Sequence, residues 1–189
     1  MPEIREYDRA RAVAYARRWA RDRNPIFFDF TGRGGNCTNF VSQCILAGCC
    51  QMNFTPDFGW YYISPGDRAA AWTGVEFFYN FITDNAVGGG IGDGLGPFGR
   101  EVRNRLLLPG DVIQLGRRDG DYYHTLMVTG YGRRTYLVSA QSDDALNRPL
   151  STYNYSRIRY IHIEGYRTEP ENRNDCFRDL IAGVGIMGG

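Results

Sequence analysis

Nucleophilic chemistry in this 189-residue chain has few places to sit, because it holds only five cysteines and two histidines. Cys37 follows the glycine-rich turn Thr31-Gly-Arg-Gly-Gly35 and opens an apolar helical pattern. A helix start gathers unpaired N–H groups and partial positive charge. That environment favours a reactive thiolate and lets the Cys37 N–H bind a developing oxyanion. Glycines at 32, 34 and 35 leave a substrate carbonyl unobstructed. His124 begins a strand-like run through Thr129, and a base at a strand end beside a helix-start nucleophile is what a cysteine hydrolase needs. His162 lies between Ile161 and Ile163 and reads as a structural or surface histidine. A third group should orient the imidazole, and Gln141, Asp143 and Asp144 are all within reach if adjacent strands pair. Against these roles stand a buried helix-start cysteine and two turn-forming aspartates.

The other cysteines offer little. Cys44 reads as a small buried hydrophobe on the helix. Cys49 and Cys50 follow the helix end, and Cys176 is remote. The odd count and irregular spacing make a poor disulfide framework, and no Cys-x-x-Cys pair or histidine cluster suggests zinc. No metal or cofactor is expected.

The surrounding pattern must position Cys37 and His124. Tyr7 to Asp22 is helical, with Ala12, Val13, Ala16, Trp19 and Ala20 at spacings of three and four, and Pro25 beyond stops it. A second helix runs from Cys37 to Ala47 with Gly48 at its end, and a third from Gly74 to Thr83. Residues 50–70 read as a loop carrying Trp60, Tyr61 and Tyr62, and residues 86–99 as a flexible glycine-rich loop. The period then changes to two at Asp111–Leu115, Tyr123–Tyr131, Thr135–Gln141 and Ile158–Ile163, with polar turns at 117–121 and 132–134. Helices first and strands after predict an α+β domain with an antiparallel sheet. The expected division is one domain over 1–165 and a partly ordered tail over 166–189. The Gly188-Gly189 end reads as a processing remnant, a docking strand or a segment with no role.

Composition excludes several partners. Hydrophobic residues make up 43%, and the net charge of +1 calls for neither nucleic acid nor an anionic membrane. No apolar run of about 18 residues is present. The opening MPEIREYDRA lacks a signal peptide's apolar stretch, so the expectation is a cytoplasmic protein or the mature part of an exported precursor. Nothing in the sequence sets the oligomeric state.

The motif Gly34-Gly-Asn-Cys37-Thr-Asn-Phe-Val-Ser-Gln43 closely resembles that of the bacterial putative amidase domain family, which is similar to the NlpC/P60 and CHAP groups of the papain-like superfamily. The likeness extends to Tyr7–Trp19, Trp60-Tyr-Tyr62, Trp72, Leu108-Pro-Gly-Asp-Val-Ile-Gln114, His124 with Val128-Thr-Gly130, Leu146–Ser151 and Arg159–His162. It covers about residues 5 to 165. It implies a papain-like fold, Cys37 as nucleophile, His124 as base, and amide hydrolysis through a thioester. Gln141 would orient His124, and Asn36 would add a donor to the substrate. Peptide or peptidoglycan-like amides are the implied substrates. The family pattern commonly has aspartate where this chain has Asn36 and histidine where it has Gln141. Glutamine can accept a hydrogen bond from the His124 ring but carries no charge. Two other readings share these residues. One is an acyltransferase that passes the thioester to an amine. The other is an inactive binding module, with Trp60, Tyr61, Tyr62 and Trp72 forming a groove for sugar or peptide, although aromatic residues are also ordinary packing.

Overall fold

The computed structural model describes residues 1–186, Arg105 by its backbone alone. Strand β1 (Glu3–Arg5) leads to helix α1 (Arg9–Trp19), where the Asp8 carboxylate accepts the Arg11 N–H at 3.0 Å and caps the first turn. Helix α2 (Asn36–Cys49) is buried along its whole length. Phe40, Val41, Cys44, Ile45 and Leu46 place it in the core, and neighbours approach closely enough that a Cβ on Gly48 would lie 2.3 Å from the Tyr7 ring. A short hairpin of β2 (Tyr62–Ser64) and β3 (Asp67–Arg68) precedes α3 (Ala70–Thr73) and α4 (Val75–Asp84). The remaining strands are β4 (Gly96–Val102), β5 (Val112–Gly116), β6 (Tyr122–Gly132), β7 (Thr135–Ala140), β8 (Ala145–Pro149) and β9 (Arg157–Thr168), followed by α5 (Phe177–Ala182). The mixed helix and antiparallel-sheet class expected from the periodicity is therefore the one observed.

Seven of these strands form one antiparallel sheet in the order β1-β9-β5-β6-β7-β8, with β4 on the opposite edge of β9. Val112, Met127, Ile161 and Ile163 join the core beneath the helices. On the other face Ile113, Leu115, Leu126, Val128 and Val138 pack under Leu107, Tyr136 and Leu150. β5 pairs with β9 only as far as Ile161, and β1 resumes at Tyr166. The buried Asp111 carboxylate fills the gap, accepting the Ile163 N–H at 2.9 Å and the Leu108 N–H at 2.8 Å. It also accepts from Arg9 at 2.6 Å and sits 2.8 Å from His162 Nδ1. Arg9 in turn donates to the Ile163 carbonyl. One carboxylate thus ties α1, the turn before β5 and β9 together.

Two expectations need correction. The glycine-rich stretch 86–99 is not all loop. β4 starts at Gly96, and the buried Asn85 side chain pins the rest by donating to the Leu95 and Pro97 carbonyls at 3.2 and 2.9 Å while accepting the Ile91 N–H at 2.8 Å. The cysteines do form a disulfide, Cys50–Cys176, across 126 residues of sequence, leaving Cys37, Cys44 and Cys49 free. An odd count hides one bridge, and spacing cannot reveal a pair so distant. The boundary placed at 165 falls inside β9. Beyond it α5 packs Leu180 into the helical core, and Trp19 Nε1 donates to the Ile181 carbonyl at 3.1 Å. Gly188 and Gly189 lie outside the described residues.

Replacing Asp111 with alanine removes the acceptor of four donors and the charge partner of Arg9, so we expect a loss of about 3 kcal/mol in urea unfolding; a loss under about 1 kcal/mol would show that the carboxylate is not the tie. Denatured without reductant, the protein should titrate three thiols and, after reduction, five; five at the outset would remove the bridge from the account.

Candidate active site

Gly32 and Gly34, at φ +76° and +80°, turn the chain sharply into α2. Left-handed backbone of this kind suits glycine. α2 then starts with no side-chain cap, so the N–H groups of its first turn, Cys37 among them, have no intrahelical acceptor. His124 reaches the same region through an irregularity in β6. Leu115 pairs with His124 but Gly116 pairs with Tyr122, so Tyr123 is an extra residue in the ladder. A bulge of this kind re-aims neighbouring side chains.

Cys37 and His124 line one open cleft of about 670 Å³, together with Gly32, Gly34, Gly35, Tyr123, Ser142, Asp143, Arg148, Tyr153 and Asn154. A larger cavity, about 790 Å³, lies beside the β6–β7 turn and Tyr160 and contains neither Cys37 nor His124. The residues that follow the cysteine and the histidine bind each other, Thr38 Oγ1 lying 2.9 Å from Thr125 Oγ1. That bond fixes α2 against β6 one residue away from each side chain of the pair.

The His124 ring packs near Tyr123 and Tyr153, at centroid distances of 6.4 and 6.1 Å. Neither of its nitrogens has a hydrogen-bond partner among the described residues. Desolvation in the cleft wall lowers its pKa to about 4; Asp143 opposes this and Arg148 adds to it. His124 is therefore neutral at pH 7. The Tyr153 hydroxyl is buried with no hydrogen-bond partner among the described residues, which makes it a donor in want of an acceptor.

Of the three groups considered for orienting His124, the structure sends two elsewhere. Gln141 donates to the Trp19 and Asp22 carbonyls at 2.7 and 2.8 Å and accepts from Asn36 at 2.8 Å. Asp144 forms a two-pronged pair with Arg23 at 2.9 and 3.0 Å. Asp143, paired with Arg148 at 3.2 Å, is the carboxylate that faces the cleft. The two departures from the resembled family pattern, Asn36 and Gln141, meet in a single hydrogen bond.

The residues expected to bind substrate are placed differently. Asn36 is buried, and its carbonyl oxygen accepts from the Phe30 N–H and Asn39 Nδ2, both at 3.0 Å. Its amide donates to Gln141 at 2.8 Å, and burial closes the side chain to a ligand. Trp60 and Trp72 are fully buried, donating to Ser42 Oγ at 3.0 Å and Asn39 Oδ1 at 2.9 Å. They are core residues, and the packing reading of that aromatic loop is the one observed. Sequence reasoning missed Tyr153, Arg148 and Ser142, which border the cleft, and the Thr38–Thr125 pair. Arg148 stood within a quoted segment, but a loop arginine gives no sign of what it faces. Among the described residues no group of histidine, cysteine or carboxylate side chains could hold a metal.

Comparison with known proteins agrees with the motif. The model of a family described as a putative amidase domain matches residues 6–163. The uncharacterized protein YhbB of Bacillus subtilis (strain 168) is 32% identical over 165 residues, covering 84% of this chain and 45% of that protein. The chain thus spans less than half the length of that curated relative. No solved structure matches it. With the family match running over most of its length, through both Cys37 and His124, the chain belongs to the putative amidase domain family.

Proposed function

We propose that the protein is a cysteine amidase or peptidase with a papain-like arrangement, related to the NlpC/P60 and CHAP groups, that cleaves an amide through a thioester on Cys37. The observation that carries this reading is the shared cleft, in which a helix-start cysteine and a neutral histidine face one open space. His124 accepts the thiol proton as Cys37 Sγ attacks the carbonyl carbon. The Cys37 N–H donates to no acceptor within the helix and so is available to the oxyanion. The imidazolium then gives its proton to the leaving amine. In the second half His124 takes a proton from water, the hydroxide attacks the thioester, and the proton returns to the cysteine sulfur. Asp143 lies on the His124 side of the cleft and favours the imidazolium while it exists. Tyr153 borders the cleft beside the His124 ring.

Peptides or peptidoglycan-like amides fit this reading, since the cleft is open and bounded by both aromatic and charged groups. The Cys50–Cys176 bridge favours an oxidising compartment and hence export. Burial of Trp60 and Trp72 leaves those two indoles out of any groove for sugar or peptide, which counts against the binding-module reading.

On any amide substrate that the protein turns over, Cys37→Ala should abolish cleavage, and retained turnover would sink the proposal. Because desolvation favours the neutral ring, His124 stays competent as a base as pH falls from its ordinary 6.5 to about 4. The acid limb of kcat/KM should therefore lie near pH 4; a limb near 6.5 that vanishes in His124→Gln would contradict the desolvated environment.

A further inference from the structure

Arg159 is buried at 6% exposure, with its guanidinium 3.6 Å from the Tyr79 ring centroid and 3.9 Å from that of Tyr122. Glu76 lies 3.2 Å from one of its terminal nitrogens. Its Nε donates to Gln114 Oε1 at 2.7 Å. Arginine can only donate, so the Gln114 oxygen must face it and the amide nitrogen must point away. That nitrogen lies 2.9 Å from the Val75 carbonyl, which can only accept, and 3.2 Å from Thr125 Oγ1. Both ends fix the orientation of the amide.

The hydroxyl hydrogens follow. Thr125 Oγ1 accepts from Gln114, and its own hydrogen goes to Thr38 Oγ1 at 2.9 Å. The Thr38 hydrogen is then left for Cys37 Sγ, 3.9 Å away. In the reverse sense the Thr125 hydrogen would face the Gln114 donor and have no acceptor among the described residues. All the donors therefore run one way, from a buried cation to the nucleophile. Chains of this kind polarise one another in a medium of low dielectric.

We propose that Thr38 donates a hydrogen bond to the Cys37 sulfur, and that Arg159, Gln114 and Thr125 are positioning residues that hold this donor in the sense that favours the anionic sulfur formed when the thiol proton leaves. The proposal rests on the cysteine amidase reading and extends it to four residues, of which none lines the cleft. It also separates the two jobs at the site: His124 moves the proton, and the relay stabilises the charge left behind.

The test is the alkylation rate of Cys37 by iodoacetamide from pH 4 to 9, with modification located by mass spectrometry, in the wild type, Thr38→Val, Thr38→Ser and Thr125→Val. Loss of one hydrogen bond to a charged group should slow alkylation about tenfold at pH 7 in both valine variants and move their profiles up by about one pH unit. Thr38→Ser, which keeps the hydroxyl, should follow the wild type. The shift should persist in the His124→Ala background, because the relay does not pass through the base; a merely displaced histidine would leave no shift there. Alkylation of Cys44, a free thiol buried in the folded protein, reports the unfolded fraction of each variant, so the Cys37 profile is read from folded protein alone. Valine variants with the wild-type profile would overturn the relay alone. A wild-type Cys37 no more reactive than free cysteine at any pH would overturn the amidase reading and the relay together.

Discussion

A polar side chain on a wholly buried helix must find a partner inside the protein, and α2 carries five of them. Asn36 binds Gln141 at the end of β7, Thr38 binds Thr125 on β6, and Asn39 accepts from Trp72. Ser42 accepts from Trp60 and donates to the Trp72 carbonyl, and Gln43 accepts from Tyr15 on α1. The bonds reach β6, the end of β7, α1, α3 and the loop that carries Trp60. Together they set the rotation and the axial position of α2, and so the place of Cys37 at its first turn. The motif around the cysteine is in this sense an assembly code as much as a catalytic one.

That constraint explains which side chains were taken from the substrate. Asn36, Trp60 and Trp72 look like ligand contacts on a linear chain, since amides and indoles often are. Here they serve the helix that holds Cys37. The coupling between Asn36 and Gln141 has the same origin. An acid–imidazole pair, as in the resembled pattern, and an amide–amide pair both satisfy a buried hydrogen bond at this place, but only the first brings charge. With the neutral pair, electrostatic support for the imidazolium of the proposed mechanism is left to Asp143, on the cleft side of the same turn.

Much of this was legible in the sequence. Periodicity located α1, α2, α4 and β5 to β7 to within a few residues, and the scarcity of histidine singled out His124. β4 was hidden because Gly96 and Gly99 read as loop, whereas a Cβ at Gly99 would come within 2.2 Å of the His162 carbonyl. Close approach between strands, not flexibility, asks for glycine there. The disulfide and the path of residues 166–182 were not legible, because both depend on contacts to residues more than a hundred positions earlier. Asp111 stood in a recognisable segment, but its four donors come from three separate stretches of chain.

The central claim is that Cys37 becomes acylated. Rapid-quench mass spectrometry during turnover of a cleavable peptide amide addresses it most directly. The account predicts a transient adduct, equal in mass to the acyl half of the substrate, on the peptide containing Cys37 and released by hydroxylamine. Steady cleavage with no adduct on Cys37 at any time, and with hydroxylamine leaving the product distribution unchanged, would contradict it.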